Sequence, residues 1–235
     1  MQRIDRQAAF VLHDRAFRET SALLEILTPD HGRVGLIARG IRGARPRFGR
    51  GVVVALQALE VSWQGRGELM QLTHAEPVGA PYVLNGRALL CALYVNELLT
   101  RLLARSDPQP EVHARYAELL GALTDADADA QAWALRRFER DLLVALGVAP
   151  RFDVDVHGRT LDAACRYQLA PESGWIPLPA SQRGDAGYPG DALLALGDPT
   201  LPSRAHLASL RQALRELIAH QLGGRELTAW RLLRG

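Results

Sequence analysis

The hydrophobic period of this chain changes once, near Pro77–Pro81, and that change limits what the chain can become. Before it, short apolar runs alternate with turn residues. They are "AAFVLH", "SALLEILT", "RVGLIARG", "GVVVALQALEVSW" and "ELMQLTHAE". Pro29 in "PDHG" presets a turn, and "QGRG" supplies another. Runs spaced at roughly 8–12 residues predict a small barrel or sandwich. Five strands in about 75 residues favour an OB-like barrel, which closes off most sheet edges. An SH3-like barrel is the competing arrangement.

After Pro81 the period becomes helical. Leu89, Leu93, Leu99 and Leu103 mark one side of a first helix, which "SDPQP" ends. Val112, Tyr116, Leu119 and Leu123 stay in phase over 111–123. "DADADA" reads as a linker and N-terminal cap, since it lacks the glycine and terminal glutamate of a calcium loop. Leu135, Phe138, Leu142 and Leu146 form the stripe of a third helix, stopped at Gly147. Residues 150–190 read as irregular. A last helix is capped by Ser203 and ended by Gly223–Gly224. The expected fold is α+β: a five-stranded OB-like β-barrel over 1–80, then an all-α domain over 81–235.

Composition matters here mainly for what it excludes. All 28 basic residues are arginine, against 26 acids. Without lysine there is no Walker A contact to the β/γ-phosphates and no Schiff-base chemistry. Two distant cysteines, Cys91 and Cys165, fit a reducing compartment. No signal-peptide core and no membrane-length apolar run occur, so a cytoplasmic protein without membrane contact is expected.

Catalytic and metal signatures are weak. The seven histidines show no HExxH spacing, and His157 with Cys165 is a lone pair. The expectation is no metal, no cofactor and no enzyme. Ser21, Asp30 and His31 are the acid–base–nucleophile residues that could be grouped, but Ser21 starts a strand and His31 follows its other end.

One stretch is chemically pointed. "RVGLIARGIRGARPRFGRG", Arg33–Gly51, holds six arginines, and no acid occurs across residues 31–59. Such charge repels itself unless an anion answers it. Glycines allow close backbone approach, and the planar guanidinium matches phosphate oxygens and stacks on bases. A basic groove with aromatic platforms is how barrel modules hold single strands. The candidate nucleic-acid-binding residues are therefore Arg33, Arg39, Arg42, Arg45, Arg47, Phe48, Arg50, Trp63 and Arg66. In the helical half, Arg136, Arg137 and Arg140 edge an apolar stripe. They suit either internal pairing, such as Arg137 with Asp141, or an acidic peptide partner.

These motifs carry a resemblance. "AFVLHDRAFRETSALLEILTPDHGRVGLIARGIRG" resembles the opening of the RecO family of bacterial recombination-repair proteins. "GRGELMQLTHAEPV", "LYVNELLTRLL", "ALRRFERDLLVALG", "YQLAPESGWI" and "LGGRELTAWRLL" continue it in order. The resemblance implies an OB fold followed by a helical domain. It implies binding of single- and double-stranded DNA and annealing without ATP. It also implies work with RecR, and in some organisms RecF, to help RecA load onto DNA coated with single-strand-binding protein. The acidic C-terminal tail of that protein is expected at "ALRRFE". Some members carry a four-cysteine zinc module; residues 150–175 here keep only Cys165, so that module is not intact. An RNA-binding barrel in translation or ribosome assembly is the alternative.

Overall fold

A computed structural model describes residues 2–42, 45–49, 51–67, 69–179, 181 and 186–232. The chain divides into two compact units. One comprises 1–124 with 227–235, the other 125–226.

The first unit is built on five strands, β1 Gln2–Phe17, β2 Ser21–Thr28, β3 Gly32–Ala38, β4 Ala58–Gly65 and β5 Leu69–Pro77. They close into a barrel in the order β1-β2-β3-β5-β4. All neighbours are antiparallel except β3 and β5. Closure depends on β1, which is longer than its apolar centre "AAFVLH" predicts. Its first half pairs with β4 and its second half with β2, and Phe10 faces both Ala58 and Leu27. Irregularities at Ile4/Gln7 and Val11/His13 bend it, with Arg6 at φ +53° inside the first. Alternate residues fill the barrel: Ala9 and Val11, Leu24 and Ile26, Val34 and Leu36, Leu59, Val61 and Trp63.

β4 starts at Ala58, not at Gly51 as its β-branched run suggested. Val52 and Val53 instead pack with Ile41 and Phe48 against the barrel core. Hydrophobicity alone does not separate a strand from a loop that half-buries two of its valines and exposes a third, Val54.

Outward residues of β1 and β2 are covered rather than wet. Phe10 and Leu27 are buried, and Phe10 lies 4.9 Å from the Tyr116 ring, edge-on, and 5.2 Å from His113. Those partners belong to α2 Pro110–Thr124, which follows α1 Gly86–Leu102. Tyr116 donates its hydroxyl to Asn96 Oδ1 at 2.5 Å between the two helices. The buried side of α1 is Ala88, Cys91, Ala92, Val95, Leu98 and Leu99. Leu93, expected inside, is exposed. Tyr94 and Asn96 are buried as well, so the inward side of α1 mixes small, aromatic and polar residues with Leu98 and Leu99 and does not follow the leucine spacing alone. After α1 the chain returns to the start of β3, where Ser106 N–H bonds Arg33 O at 2.9 Å. A Cβ on Gly32, at φ +58°, would stand 1.8 Å from Asp107 O, so glycine is required there.

The second unit contains α3 Ala128–Ala145, α4 Gly190–Ala195 and α5 Arg204–Gln221. Asp127 caps α3, accepting from the Asp129 and Ala130 amides at 3.0 and 2.9 Å. Ser203 caps α5 through the His206 amide. The unit is not all-α. Residues 150–190 contain a three-stranded sheet, β7 Gly174–Pro177, β6 Arg166–Ala170 and β8 Tyr188–Pro189, in that order. Its strands are too short to show a period in sequence. They are held by the buried Trp175, which donates to Arg151 O at 3.0 Å and packs on Phe152 and Tyr188. The final short helix, α6 Thr228–Leu232, rejoins the first unit, where the Glu97 carboxylate accepts the Thr228 and Ala229 amides at 2.9 Å each. No helix among the described residues is long and apolar enough to cross a membrane.

Candidate nucleic-acid interface

The arginine-rich segment becomes the end of β3 and the long connection to β4. Arg39, Arg42, Arg45 and Arg47 are all exposed. Backbone bonds shape the loop, among them Arg47 N–H to Gly40 O at 2.8 Å, and Arg42 N–H to Thr20 O at 3.0 Å. The second ties the loop to the β1–β2 turn. Arg15 and Arg18, both exposed, therefore stand at the same end of the barrel. In the sequence each is flanked by an acid, Asp14 or Glu19, so neither stands out as unbalanced charge. Among the described residues of the loop, Arg42 makes a loose carboxylate contact, with Asp14 at 3.8 Å. Exposed pairs of that kind contribute little. Arg50 lies outside the described residues.

Phe48 is half-buried. Its ring packs on the barrel core while the Arg47 guanidinium lies over it at 5.1 Å. Arg47 also donates to Thr73 O on β5 at 3.2 Å. The aromatic ring thus anchors the loop and orients one guanidinium.

Three of the expected residues are placed differently. Arg33 is sunk between strands, its side chain 15% exposed. It pairs with Glu25 at 3.2 Å and donates through Nε to Leu103 O at 3.0 Å. Arg105 meets the other Glu25 oxygen. Burial draws the Arg33 guanidinium below its ordinary pKa, against the pull of Glu25. This is an internal pair joining the barrel to the segment after α1, not a phosphate contact. Trp63 is 1% exposed inside the barrel, edge-on to His31 at 5.3 Å, and has no face to offer a base. Arg66 is exposed, but not with the others. Gly35 pairs with Leu69, which sets the Arg66 turn level with the start of β3, whereas Arg39 follows its end. The two ends of β3 are ~20 Å apart at a strand's rise per residue.

In the second unit, Arg136 is turned inward as well. It is 7% exposed and bonds Glu139 at 2.8 Å within α3, with both side chains buried. Arg140, half-buried, pairs with Asp141 at 2.6 Å and reaches Leu196 O. The Arg137–Asp141 pairing expected from spacing gives way to this neighbouring one. Arg137 is partly exposed and lies two helical turns before the exposed Val144 on α3.

Ser21 and His31 stand at opposite ends of β2, as their spacing implied. Cys165 bonds Asp162 at 3.4 Å. The His157 amide is engaged by Asp155 at 2.8 Å, within a turn closed by Arg159.

Comparison with known proteins bears on both units. The family model "Recombination protein O N terminal" matches residues 1–81. "Recombination protein O C terminal" matches 84–231. A DNA repair protein RecO from Stenotrophomonas maltophilia is 44% identical over 232 residues, covering 98% of this chain and 96% of the relative. One from Xanthomonas oryzae pv. oryzae is 43% identical over 234 residues, with the same coverage. Another from Xanthomonas campestris pv. campestris is 41% identical over 233 residues, again covering 98% and 96%. With a barrel bearing an arginine loop in front, and matches that run almost end to end, the chain belongs to the RecO family of DNA repair proteins.

Proposed function

We propose that this chain binds single- and double-stranded DNA, anneals complementary strands without ATP, and helps RecA load onto DNA coated with single-strand-binding protein. The observation that carries the reading is the cluster of exposed arginines, Arg39, Arg42, Arg45 and Arg47, at one end of a closed barrel. Arg15 and Arg18 extend it across the β1–β2 turn. Guanidinium groups held on one loop neutralise phosphates of two strands at once, lowering the repulsion that separates complements. Each contact releases counterions, so binding weakens with salt. No step needs a nucleophile or a nucleotide.

Within the same reading, the division is a DNA-binding 1–80 and a mainly helical 81–235, with its small sheet, carrying the protein partners. Arg137 and Val144 on α3 offer a charge and an apolar contact on one helix face. That combination suits the acidic, apolar tail of single-strand-binding protein. RecR and, in some settings, RecF complete the set of partners, in the cytoplasm.

The decisive experiment is annealing of complementary strands coated with single-strand-binding protein, with and without that protein's acidic tail. Annealing that needs the tail supports the whole reading. Annealing of bare strands alone supports the DNA half and removes the tail from the reading. No annealing, or equal binding of RNA of the same sequence, overturns it.

A further inference from the structure

The outer face of the β4–β5 pair gathers residues whose sequence spacing suggests nothing. Glu60 on β4 stands directly opposite Glu76 on β5, and His74, two residues earlier on β5, faces the same way. A ligand atom from each lies within 4.8 Å of the other two, with His74 Nε2 3.5 Å from Glu76 Oε1. Two carboxylates set directly across an antiparallel pair repel one another, so this register is unfavourable unless a cation answers it. Arg6 answers in part, its guanidinium bonding Glu60 Oε1 at 2.8 Å. Arg6 also feels the Glu76 charge, yet a single guanidinium serves both carboxylates, and an oxygen of each still lies with the His74 imidazole around one point.

We propose that Glu60, His74 and Glu76 form a binding site for a divalent first-row transition cation of the zinc class. The donor set is one imidazole and two carboxylates, which suits borderline cations better than magnesium, whose sites are all-oxygen. Zinc bonds of about 2.0–2.2 Å put tetrahedral ligand atoms roughly 3.3–3.6 Å apart, which the His74–Glu76 separation already matches. All three ligands stand on hydrogen-bonded strands, so the ion needs no rearrangement of backbone. Arg6 supplies the outer partner that ligating carboxylates usually have, and its own amide is fixed by Ser62 Oγ at 3.0 Å. Three protein ligands leave a fourth position open to water. The ion would clip β4 to β5, stabilising the barrel by binding the folded state alone. This site is independent of the DNA reading and of any cysteine module.

The test uses the full-length protein after chelator treatment. Zinc and cobalt are titrated into the wild type, His74→Ala and Glu76→Gln, a half-buried and an exposed position, with the folding of each checked by circular dichroism. The expected result is one equivalent bound, a visible cobalt spectrum without thiolate charge transfer, and affinity reduced more than about tenfold in either variant. At zinc ten times its dissociation constant, the wild-type melting temperature rises by roughly 3–6 °C and the His74→Ala value stays put. Absence of stoichiometric binding, a thiolate band, or undiminished binding by His74→Ala would each overturn the site. DNA affinity is measured in parallel, so loss of the metal site and loss of the DNA reading give separate signals.

Discussion

Arg33 on β3 and Glu25 on β2 form an ion pair of 3.2 Å, side chains 15% and 18% exposed, inside the segment that otherwise looks most like a DNA contact. The pair also holds Arg105, and Arg33 Nε bonds the backbone at Leu103. Removing Arg33 takes away one of the two guanidinium partners of Glu25 and leaves Leu103 O without its side-chain donor. Arg33→Ala is therefore expected to lower stability by about 1–3 kcal/mol. Its effect on DNA affinity per folded molecule should be small. Urea denaturation and fluorescence anisotropy on the same preparation separate the two. A large affinity loss with unchanged stability would return Arg33 to the interface.

The exposed loop should behave in the opposite manner. Replacing Arg39, Arg42 and Arg45 together by alanine removes three exposed cations and no buried contact. Single-strand affinity should fall, and the log–log salt slope should drop by about 2 from a starting value of roughly −3 to −4. The melting temperature should not move. A flat wild-type salt dependence would remove the electrostatic mechanism altogether.

Trp63 separates core from platform. It fills the barrel, so Trp63→Ala should cost about 3–5 kcal/mol. Trp63→Phe keeps most of the apolar volume and should retain wild-type DNA binding. A Phe variant that folds but no longer binds would show that the indole meets nucleic acid.

His113 predicts a pH dependence. It packs on Phe10, and burial holds its imidazole below the ordinary histidine pKa, with Asp30 opposing weakly. The unfolded chain therefore takes up the proton first. Stability from this group is complete above the unfolded pKa of about 6.5 and declines as pH falls through it toward the lower folded value. The urea midpoint of the wild type should fall between pH 7.5 and 5.5. His113→Gln should lose less over that interval, and an equal loss would place the titration elsewhere.

Local sequence carried the parts of the fold that depend on neighbours in the chain. The texture change near Pro77–Pro81 separates strands from helices. Asp127 and Ser203 cap the helices that follow them, and Gly147 takes φ +70° after α3. Those features act over a turn or two, so their chemistry is visible in a short window. The same window misled at Gly51–Gln57, where valines pack in a loop, and at 150–190, where strands of two to five residues are too short to show a period.

The sequence by itself determined where charge would concentrate: six arginines and no acid between Arg33 and Gly51. Only the tertiary structure decided which guanidinium groups face outward. Arg33 and Arg39 are the same residue type six positions apart, yet one meets Glu25 across a strand pair and the other faces solvent. Arg136 and Arg137 are adjacent, and helical rotation buries one against Glu139. Glu60, His74 and Glu76 converge because β4 and β5 pair in one register. The physical reason is common to all of these. A side chain's electrostatic partner is chosen by strand register and helix phase across the fold, and neither is written in the residues beside it.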